Sequence, residues 1–496
     1  MAQNLLAIDV GTQSCRAAVV TADGEILGIA RISHEADSPH PNWAQQQPGD
    51  WWNETCGAIR QVLADTGADP ATIAAVAACG QMHGPVGLDD HGRTTTEWVQ
   101  LWCDKRCDEQ CERVRQEHDE PALARIAGSS VNPAWSGLKV RWLKDHQPEV
   151  YLRTRWFLVP KDFINYRLTG VAAGDPSEAS GSWLWDCRKE AYSQELADAV
   201  GVDLDKFPPV SASHEPIGAV TDVAAALTGL AAGTPVVAGG GDFPVSMLGF
   251  GIVGEGAAAD VTGTSSLLAL HHPQPLVHPA VQNLRHAVDG WIPFTILDCG
   301  GLSMTWCRDL VAAARGEEVS FERLIEMARG VPEGSEGLIF FPYMLGERRR
   351  ENTTARGGYF GITLRHSAGH FVRAVMEGVA YGMGKDMALF GDLGVKIDRV
   401  FCVGGGARNE LWNQIKADVV RVPLAISDEP EAGLKGAALL AAAGAGLIDD
   451  AGRTAVARRA TPKVVQPRSE SSETYQAALG EFVRIYDHMV GFWFGR

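Results

Sequence analysis

Apolar positions near the start of the chain come in short blocks punctuated by glycine. Leu5-Leu6-Ala7-Ile8-Asp9-Val10-Gly11-Thr12 is one block, broken at Gly11, and residues 16–20 resume the strand character before an Asp23-Gly24 turn. The segment predicts consecutive hairpins. Near the midpoint, Ala257-Ala258-Ala259-Asp260-Val261-Thr262-Gly263-Thr264 repeats the scheme of small or apolar residues, Asp-Val, then Gly-Thr, with an apolar run at 267–270. Each half also ends a β-like run on three glycines: Val236-Val237-Ala238 before Gly239-Gly240-Gly241, and Val400-Phe401-Cys402-Val403 before Gly404-Gly405-Gly406. This shared order of parts predicts two related α/β domains facing each other across a cleft.

Helical periodicity fills the intervals. Trp51, Thr55, Ile59 and Val62 share a face after the Pro48-Gly49-Asp50 start signal, as do Phe371, Val375, Gly378 and Val379. Tyr475, Leu479, Phe482, Tyr486 and Met489 predict a closing amphipathic helix that packs on the core. The apolar run at 436–448 is shorter than the ~20 residues that span a bilayer and reads as a buried helix. A length of 496 residues exceeds what one core usually supports, which again favours two domains.

Charge and cysteine content narrow the setting. A formal net charge of -17 argues against nucleic acid or anionic membrane as a partner, so an anionic substrate needs a local binding device. Ten cysteines without dense regular pairing suit a reducing compartment, and Met1 leads straight into a strand-like run without a secretory signal. Cytoplasm is the expected location.

The device sits in the glycine turns. Gly11-Thr12-Gln13 and Gly263-Thr264-Ser265 each let backbone amides point at one anion, and two such turns facing each other could hold a polyphosphate without many lysines. Asp9, just ahead of the first turn, could hold Mg²⁺ or simply cap the turn. Asp242 ends the Gly239-Gly240-Gly241 run, where a carboxylate could accept a hydroxyl proton during phosphoryl transfer or cap the next segment. Gln81, Met82 and His83, inside Gly80–Gly84, offer an amide, a soft apolar surface and an imidazole for a polyol. Trp102 supplies an apolar plate, and Asp104 with Arg106 an ion pair, equally at home on a surface helix.

Other signals fail. Gly249-Phe250-Gly251-Ile252-Val253-Gly254 matches a dinucleotide fingerprint but leads into a strand instead of a helix. Gly384-Lys385 is followed by Asp386, not the Ser or Thr of a P-loop. Cys103, Cys107 and Cys111 would share a helix face, yet no fourth ligand follows a metal spacing, so free thiols are expected. The cluster Arg348-Arg349-Arg350 follows the apolar run at 338–343 and is either a solvated loop or a cleft edge.

Taken in order, Ile8-Asp9-Val10-Gly11-Thr12, Trp43 with Gln46, Pro48 with Trp51-Trp52, Gly80–Gly84, Trp102-x-Asp104-x-Arg106, Gly239–Asp242, Gly263-Thr264-Ser265, Gly346-Glu347-Arg348, Glu377-Gly378 and Gly404–Arg408 resemble the FGGY carbohydrate kinases over nearly the whole chain. Gln81-Met82-His83 and the tryptophan-rich segment look most like the xylulokinases within that family. The resemblance implies an actin-like pair of ribonuclease-H-like domains, a sugar-binding one at residues 1–245 and a nucleotide-binding one at 246–496, with ATP and Mg²⁺ in the cleft. It implies Asp242 as catalytic base and, with Asp9, as metal-linked carboxylate. Gln81, Met82, His83, Trp102, Asp104, Arg106 and Asp242 would meet the sugar. Gly11, Thr12, Gln13, Gly263, Thr264, Ser265, Gly404, Gly405, Gly406, Ala407 and Asn409 would meet the nucleotide.

The expected activity is phosphorylation of D-xylulose to D-xylulose 5-phosphate by ATP. Alternatives are another substrate of the family (ribulose, erythritol, glycerol or a sugar acid) and, as a different class, an actin-like ATPase without sugar kinase activity. Homodimerisation is left open. Two departures bear on specificity: Phe243 stands where xylulokinases usually carry Asn, removing an amide, and Arg349-Arg350 replaces Thr-Pro, adding charge suited to a longer, differently oriented or acidic substrate.

Overall fold

Leu5, Leu6, Ala7, Ile8 and Val10 are all fully buried, which places their strand, Asn4–Val10, in the middle of a sheet. The computed structural model describes residues 3–347, 355–427 and 429–493, so Arg348, Arg349 and Arg350 lie outside the described residues. The first sheet runs in the order Ile26–Ser33, Ser14–Thr21, Asn4–Val10, Ile73–Gly80, Pro235–Gly241, Pro216–Ala219. Its first three strands are antiparallel, the next two join parallel, and the last is antiparallel.

The second sheet repeats that order and sense with Trp291–Leu297, Ser266–Leu270, Ala257–Thr262, Arg399–Val403, Leu424–Ile426 and Lys463–Val465. Gln282–Arg285 adds one strand outside Trp291–Leu297. The repeat of Asp-Val and Gly-Thr in the sequence is thus a repeat of topology. In both halves the carboxylate falls near the end of the first strand, with the glycine turn just after it.

Helices cover the sheets where periodicity placed them. Helix Pro48–Thr66 buries Trp51, Trp52, Thr55, Ile59 and Val62, starts on proline and ends at Gly67, whose φ of 63° suits glycine. Helix Ala368–Asp392 contains Gly384-Lys385 in its interior, which rules out a phosphate loop there. Its Gly378 lets the carbonyl of Phe340 approach: a Cβ would sit 2.2 Å from that oxygen. The closing helix Ser472–Trp493 buries Tyr475, Phe482 and Tyr486, with Leu479 and Met489 packed alongside.

One helix crosses between the halves. Ala432–Gly444 follows the second sheet in sequence, yet Leu434, Ala437, Leu440 and Ala441 join Leu5, Ala7, Ala75, Ala77 and Val237 in the core of the first. Its small residues permit this: a Cβ on Gly436 would lie 2.0 Å from the Val245 carbonyl oxygen. All ten cysteines are free thiols, and helix Asp108–Glu117 begins after Cys107, leaving Cys103 on the preceding turn. Among the described residues no helix is long and apolar enough to cross a membrane.

Candidate active site

The glycine run before Asp242 kinks its strand. Pro235–Gly241 lies parallel to Ile73–Gly80, but the register slips between Val237 and Gly240. Gly239 takes φ of +70°, and a Cβ there would stand 1.9 Å from the Ala78 carbonyl oxygen, so no larger residue fits. The kink is held from behind. Buried Lys161 donates to the Ala238 carbonyl at 2.8 Å, Asn165 donates to the same oxygen at 2.9 Å, and the Gly241 N–H donates to Ser177 Oγ at 3.0 Å. Lys161 in turn pairs with Asp162 and Asp175 at 2.6 and 2.8 Å.

Asp242 opens helix Asp242–Gly249, and its Oδ1 accepts the N–H of Phe243 at 2.7 Å. The side chain is half-buried. Burial and then the negative charge of Asp9 push its carboxyl up to about 7. That value suits a group that takes a proton near neutrality.

Asp9 is buried and sits directly opposite Arg16 in the first hairpin. The guanidinium of Arg16 holds Asp9 Oδ2 and reaches Glu431 Oε2 at 2.5 Å. Burial raises the Asp9 carboxyl above its ordinary value while Arg16 pulls it back. Asp9 Oδ1 is buried without a hydrogen-bond partner. The repeated residue Asp260 is arranged differently: Thr262 and Ser266 donate to its Oδ1 at 2.6 and 3.1 Å, and buried Lys416 holds its Oδ2 at 2.5 Å. Only the first copy keeps an oxygen for a ligand.

The Gln81-Met82-His83 segment leaves the strand beside Asp242. Met82 packs against Gly241, where a Cβ would come within 2.6 Å of its sulfur. Gln81 donates to Gln46 Oε1 at 2.9 Å while its own Oε1 is buried without a partner. Gln46 also accepts from Trp51 at 3.0 Å and donates to the Thr12 carbonyl at 2.8 Å, joining this segment to the first glycine turn. His83 adopts φ of 73°, with Nδ1 3.0 Å from the Gly181 carbonyl. Burial depresses its imidazolium to about 3, so the ring is neutral, and a proton on Nδ1 leaves Nε2 as an acceptor.

Trp102 is 45% exposed, and its Nε1 donates to Thr12 Oγ1 at 3.2 Å. Asp104 and Arg106 are turned inward instead. Asp104 accepts from the Ala44 N–H at 2.7 Å and from Arg106, whose guanidinium lies 3.7 Å from the Trp43 ring centroid. Their polar groups brace the loop that carries Trp43.

On the second half, Gly263 and Gly405 have nothing within 4 Å of where a Cβ would be, and Gly263, Thr264, Gly404 and Gly405 are exposed. Gly404, at φ of +85°, and Gly406 press on Thr262, with Cβ positions 2.9 Å from its carbonyl oxygen and 2.6 Å from its Cγ2. The glycine run therefore lies beside the Gly263 turn. Ala407 is buried, and Asn409 caps helix Glu410–Val420 by accepting the Trp412 N–H at 3.1 Å. The halves meet next to Asp242: the ring of Phe243 stands edge-on to Phe294 of the second sheet, 5.5 Å between centroids.

Lys161, Lys416, Glu431 and Arg16 brace the site without having been among the residues expected from the sequence. Arg16 was recoverable, since a turn over residues 11–14 pairs Val10 with Cys15 and so Asp9 with Arg16.

Comparisons with known proteins bear on the family and the fold. The profile of the FGGY family of carbohydrate kinases, N-terminal domain, matches residues 4–249, and that of the C-terminal domain matches 258–445. The chain is 28% identical to the xylulose kinase of Bacillus subtilis (strain 168), covering 98% of this chain and 97% of that protein. It is 32% identical to the xylulose kinase of Escherichia coli (strain K12) over 84% of each. The crystal structure of xylulose kinase from Rhodospirillum rubrum superposes with a TM-score of 0.93 at 28% identity, over 99% of this chain and all of that one. The two repeated sheets are accordingly the actin-like pair of ribonuclease-H-like domains expected.

Proposed function

This chain belongs to the FGGY family of carbohydrate kinases, and we propose that its sugar is D-xylulose, phosphorylated by ATP to D-xylulose 5-phosphate. The observation that carries the mechanism is the half-buried Asp242, raised to about 7 beside Asp9 and joined through Gly241 to Met82. Asp242 accepts the proton of the attacking hydroxyl, because its carboxylate is basic enough to take it and is aimed by a helix start fixed to a braced strand.

The unpartnered Oδ1 of Asp9 and the carboxylate of Asp242 are hard oxygen donors of the kind Mg²⁺ prefers, so these two residues would hold the ion. When bound, Mg²⁺ supplies neutralising charge for the phosphates. The turns at Gly11-Thr12-Gln13 and Gly263-Thr264-Ser265 orient the phosphates through backbone amides, and Gly404-Gly405-Gly406-Ala407 with Asn409 line the adenosine side. In this reading residues 1–245 bind sugar and 246–496 bind nucleotide. Gln81 Oε1, His83 Nε2 and the exposed face of Trp102 receive the sugar, while Asp104 and Arg106 shape the pocket from behind.

The names of the relatives favour D-xylulose, as does the Gln81-Met82-His83 segment. Phe243 leaves that preference open to test, because it packs on Phe294 where an amide would bind a hydroxyl. The test is sugar-dependent ADP release across D-xylulose, ribulose, erythritol, glycerol and sugar acids, repeated with Asp242→Ala. D-Xylulose should give the highest kcat/KM, and the variant should lose roughly 10² to 10⁴ in turnover while still binding nucleotide. Release with another sugar alone overturns the substrate; near-normal turnover in the variant overturns the base.

A further inference from the structure

Every carbonyl of the first glycine turn is gripped on the side facing the fold. His34 Nε2 lies 3.0 Å from the Gly11 carbonyl oxygen, Gln46 Nε2 donates to that of Thr12 at 2.8 Å, and the backbone N–H of His34 donates to that of Gln13 at 3.0 Å. In a planar trans peptide the C=O and the following N–H point in opposite directions. Holding the Gly11 and Thr12 carbonyls therefore aims the N–H groups of Thr12 and Gln13 away from the fold. Among the described residues neither N–H has a protein acceptor.

The second turn reaches the same result with main chain alone. The N–H of Gly301 donates to the Gly263 carbonyl at 2.9 Å and that of Leu302 to the Thr264 carbonyl at 3.0 Å, from the start of helix Gly301–Arg315. The N–H groups of Thr264 and Ser265 are likewise without a protein acceptor among the described residues. At the first turn the side chains of His34 and Gln46 do that work on the Gly11 and Thr12 carbonyls. His34 is itself fixed: its Nδ1 is 2.5 Å from Glu54 Oε2, on helix Pro48–Thr66.

Cys15 lies near the same pair, and Cys15, His34 and Glu54 are close enough to suggest a metal. That use conflicts with the bonds present. His34 Nδ1 is already paired with Glu54 Oε2, and burial pushes the Cys15 thiol far up, keeping it protonated and directed at the Trp51 carbonyl at 3.6 Å.

We infer that His34, aligned by Glu54, is a positioning residue for nucleotide phosphate: it clamps the Gly11 carbonyl so that the first turn presents its amides as a preformed anion site. This rests on the reading that the Gly11-Thr12-Gln13 turn meets phosphate. The experiment compares His34→Ala, His34→Gln and Glu54→Gln with the unaltered enzyme. It measures KM for ATP and for D-xylulose, kcat, affinity for a non-hydrolysable ATP analogue by calorimetry, and melting temperature.

Loss of one orienting hydrogen bond should raise KM for ATP and weaken analogue binding about tenfold in His34→Ala, with KM for D-xylulose unchanged. His34→Gln, whose amide can donate to the Gly11 carbonyl, should recover most of that loss. Unchanged analogue affinity in His34→Ala, equal losses for both substrates, or no recovery in His34→Gln overturns the role. Should His34→Ala fail to fold, the ATP-selective loss is read from Glu54→Gln, and its absence there has the same meaning. The underlying reading is checked separately in the unaltered enzyme with ¹⁵N-labelled threonine and glutamine. Amide resonances of Thr12 and Gln13 that shift with the analogue support it; resonances that stay in place remove both readings together, whereas shifted resonances with a normal His34→Ala sink His34 alone.

Discussion

Arg16 faces Asp9 across the first hairpin and ties it to Glu431, which lies 415 positions beyond Arg16 in the chain. One guanidinium thus compensates two carboxylates where the late segment before helix Ala432–Gly444 returns to the first sheet. Replacing Arg16 by Met leaves both acids without their shared partner in a poorly solvated place. The expected cost is about 3 kcal/mol, at the lower end for a broken buried pair because the Arg16 side chain is partly exposed. Urea denaturation measures it, and adding Glu431→Gln should restore part of the loss. A variant as stable as the parent would mean that the bridge carries no net stabilisation.

The pH dependence follows from Asp242. Its carboxyl is raised to about 7 by burial first and Asp9 second, and the base works only when ionised, so kcat/KM for sugar should climb with pH and level off above that value. Asp9→Asn removes the like charge, so the acid limb of the residual activity should move to lower pH; an unmoved limb would contradict the coupling. Stability runs the other way. Between about 4, the value in an unfolded chain, and about 7, the folded state binds the Asp242 proton more tightly, so this group makes the protein less stable as pH rises through that window. Asp242→Asn should therefore melt higher than the parent at pH 8, with the difference shrinking below pH 4.

Much of this was legible because it is local. The turn over residues 11–14 fixes a register, and the Gly239-Gly240-Gly241 run marks a place where only glycine can sit beside Ala78. Asp242 was visible for the same reason. What stayed hidden joins distant parts of the chain. Lys416 reads as one helical lysine among many until helix Glu410–Val420 carries it to Asp260, 156 positions away. The alanine-rich run at 436–448 is a buried helix as expected up to Gly444, where the helix ends, but nothing in its composition says which sheet it covers. Asp104 and Arg106 were visible as a pair, whereas their inward orientation depends on Ala44 and Trp43.

The unequal fates of Asp9 and Asp260 give a comparison within one molecule. Asp260 is fully engaged by Lys416, Thr262 and Ser266, so its task is to hold the base of the second turn. Lys416→Met alone strands a buried carboxylate and should cost roughly 3 to 5 kcal/mol in urea denaturation. Adding Asp260→Asn removes the stranded charge and should return most of that stability with turnover preserved. Asp9→Asn, in contrast, should lower turnover more than that double variant does. Equal turnover in the two would place the repeated carboxylates in the same role.

Gly436 decides how closely the crossing helix lies on the first half. Its missing side chain lets helix Ala432–Gly444 meet the Val245 carbonyl in helix Asp242–Gly249, the helix that Asp242 begins. A Cβ would stand 2.0 Å from that oxygen, and both partners are backbone, so neither can swing aside as a side chain would. Gly436→Ala must push the helices apart, and overpacking of this kind costs about 1 to 3 kcal/mol. Because the displaced helix carries the base, turnover should fall along with stability. Gly480 provides the control: it lies exposed within helix Ser472–Trp493, and a Cβ there meets nothing within 4 Å. Gly480→Ala should gain about 1 kcal/mol from helix propensity alone and leave turnover unchanged. Thermal melts and ADP-release assays on the two variants separate the outcomes, and a Gly436→Ala protein that melts and turns over like the parent would show that this close approach is not needed.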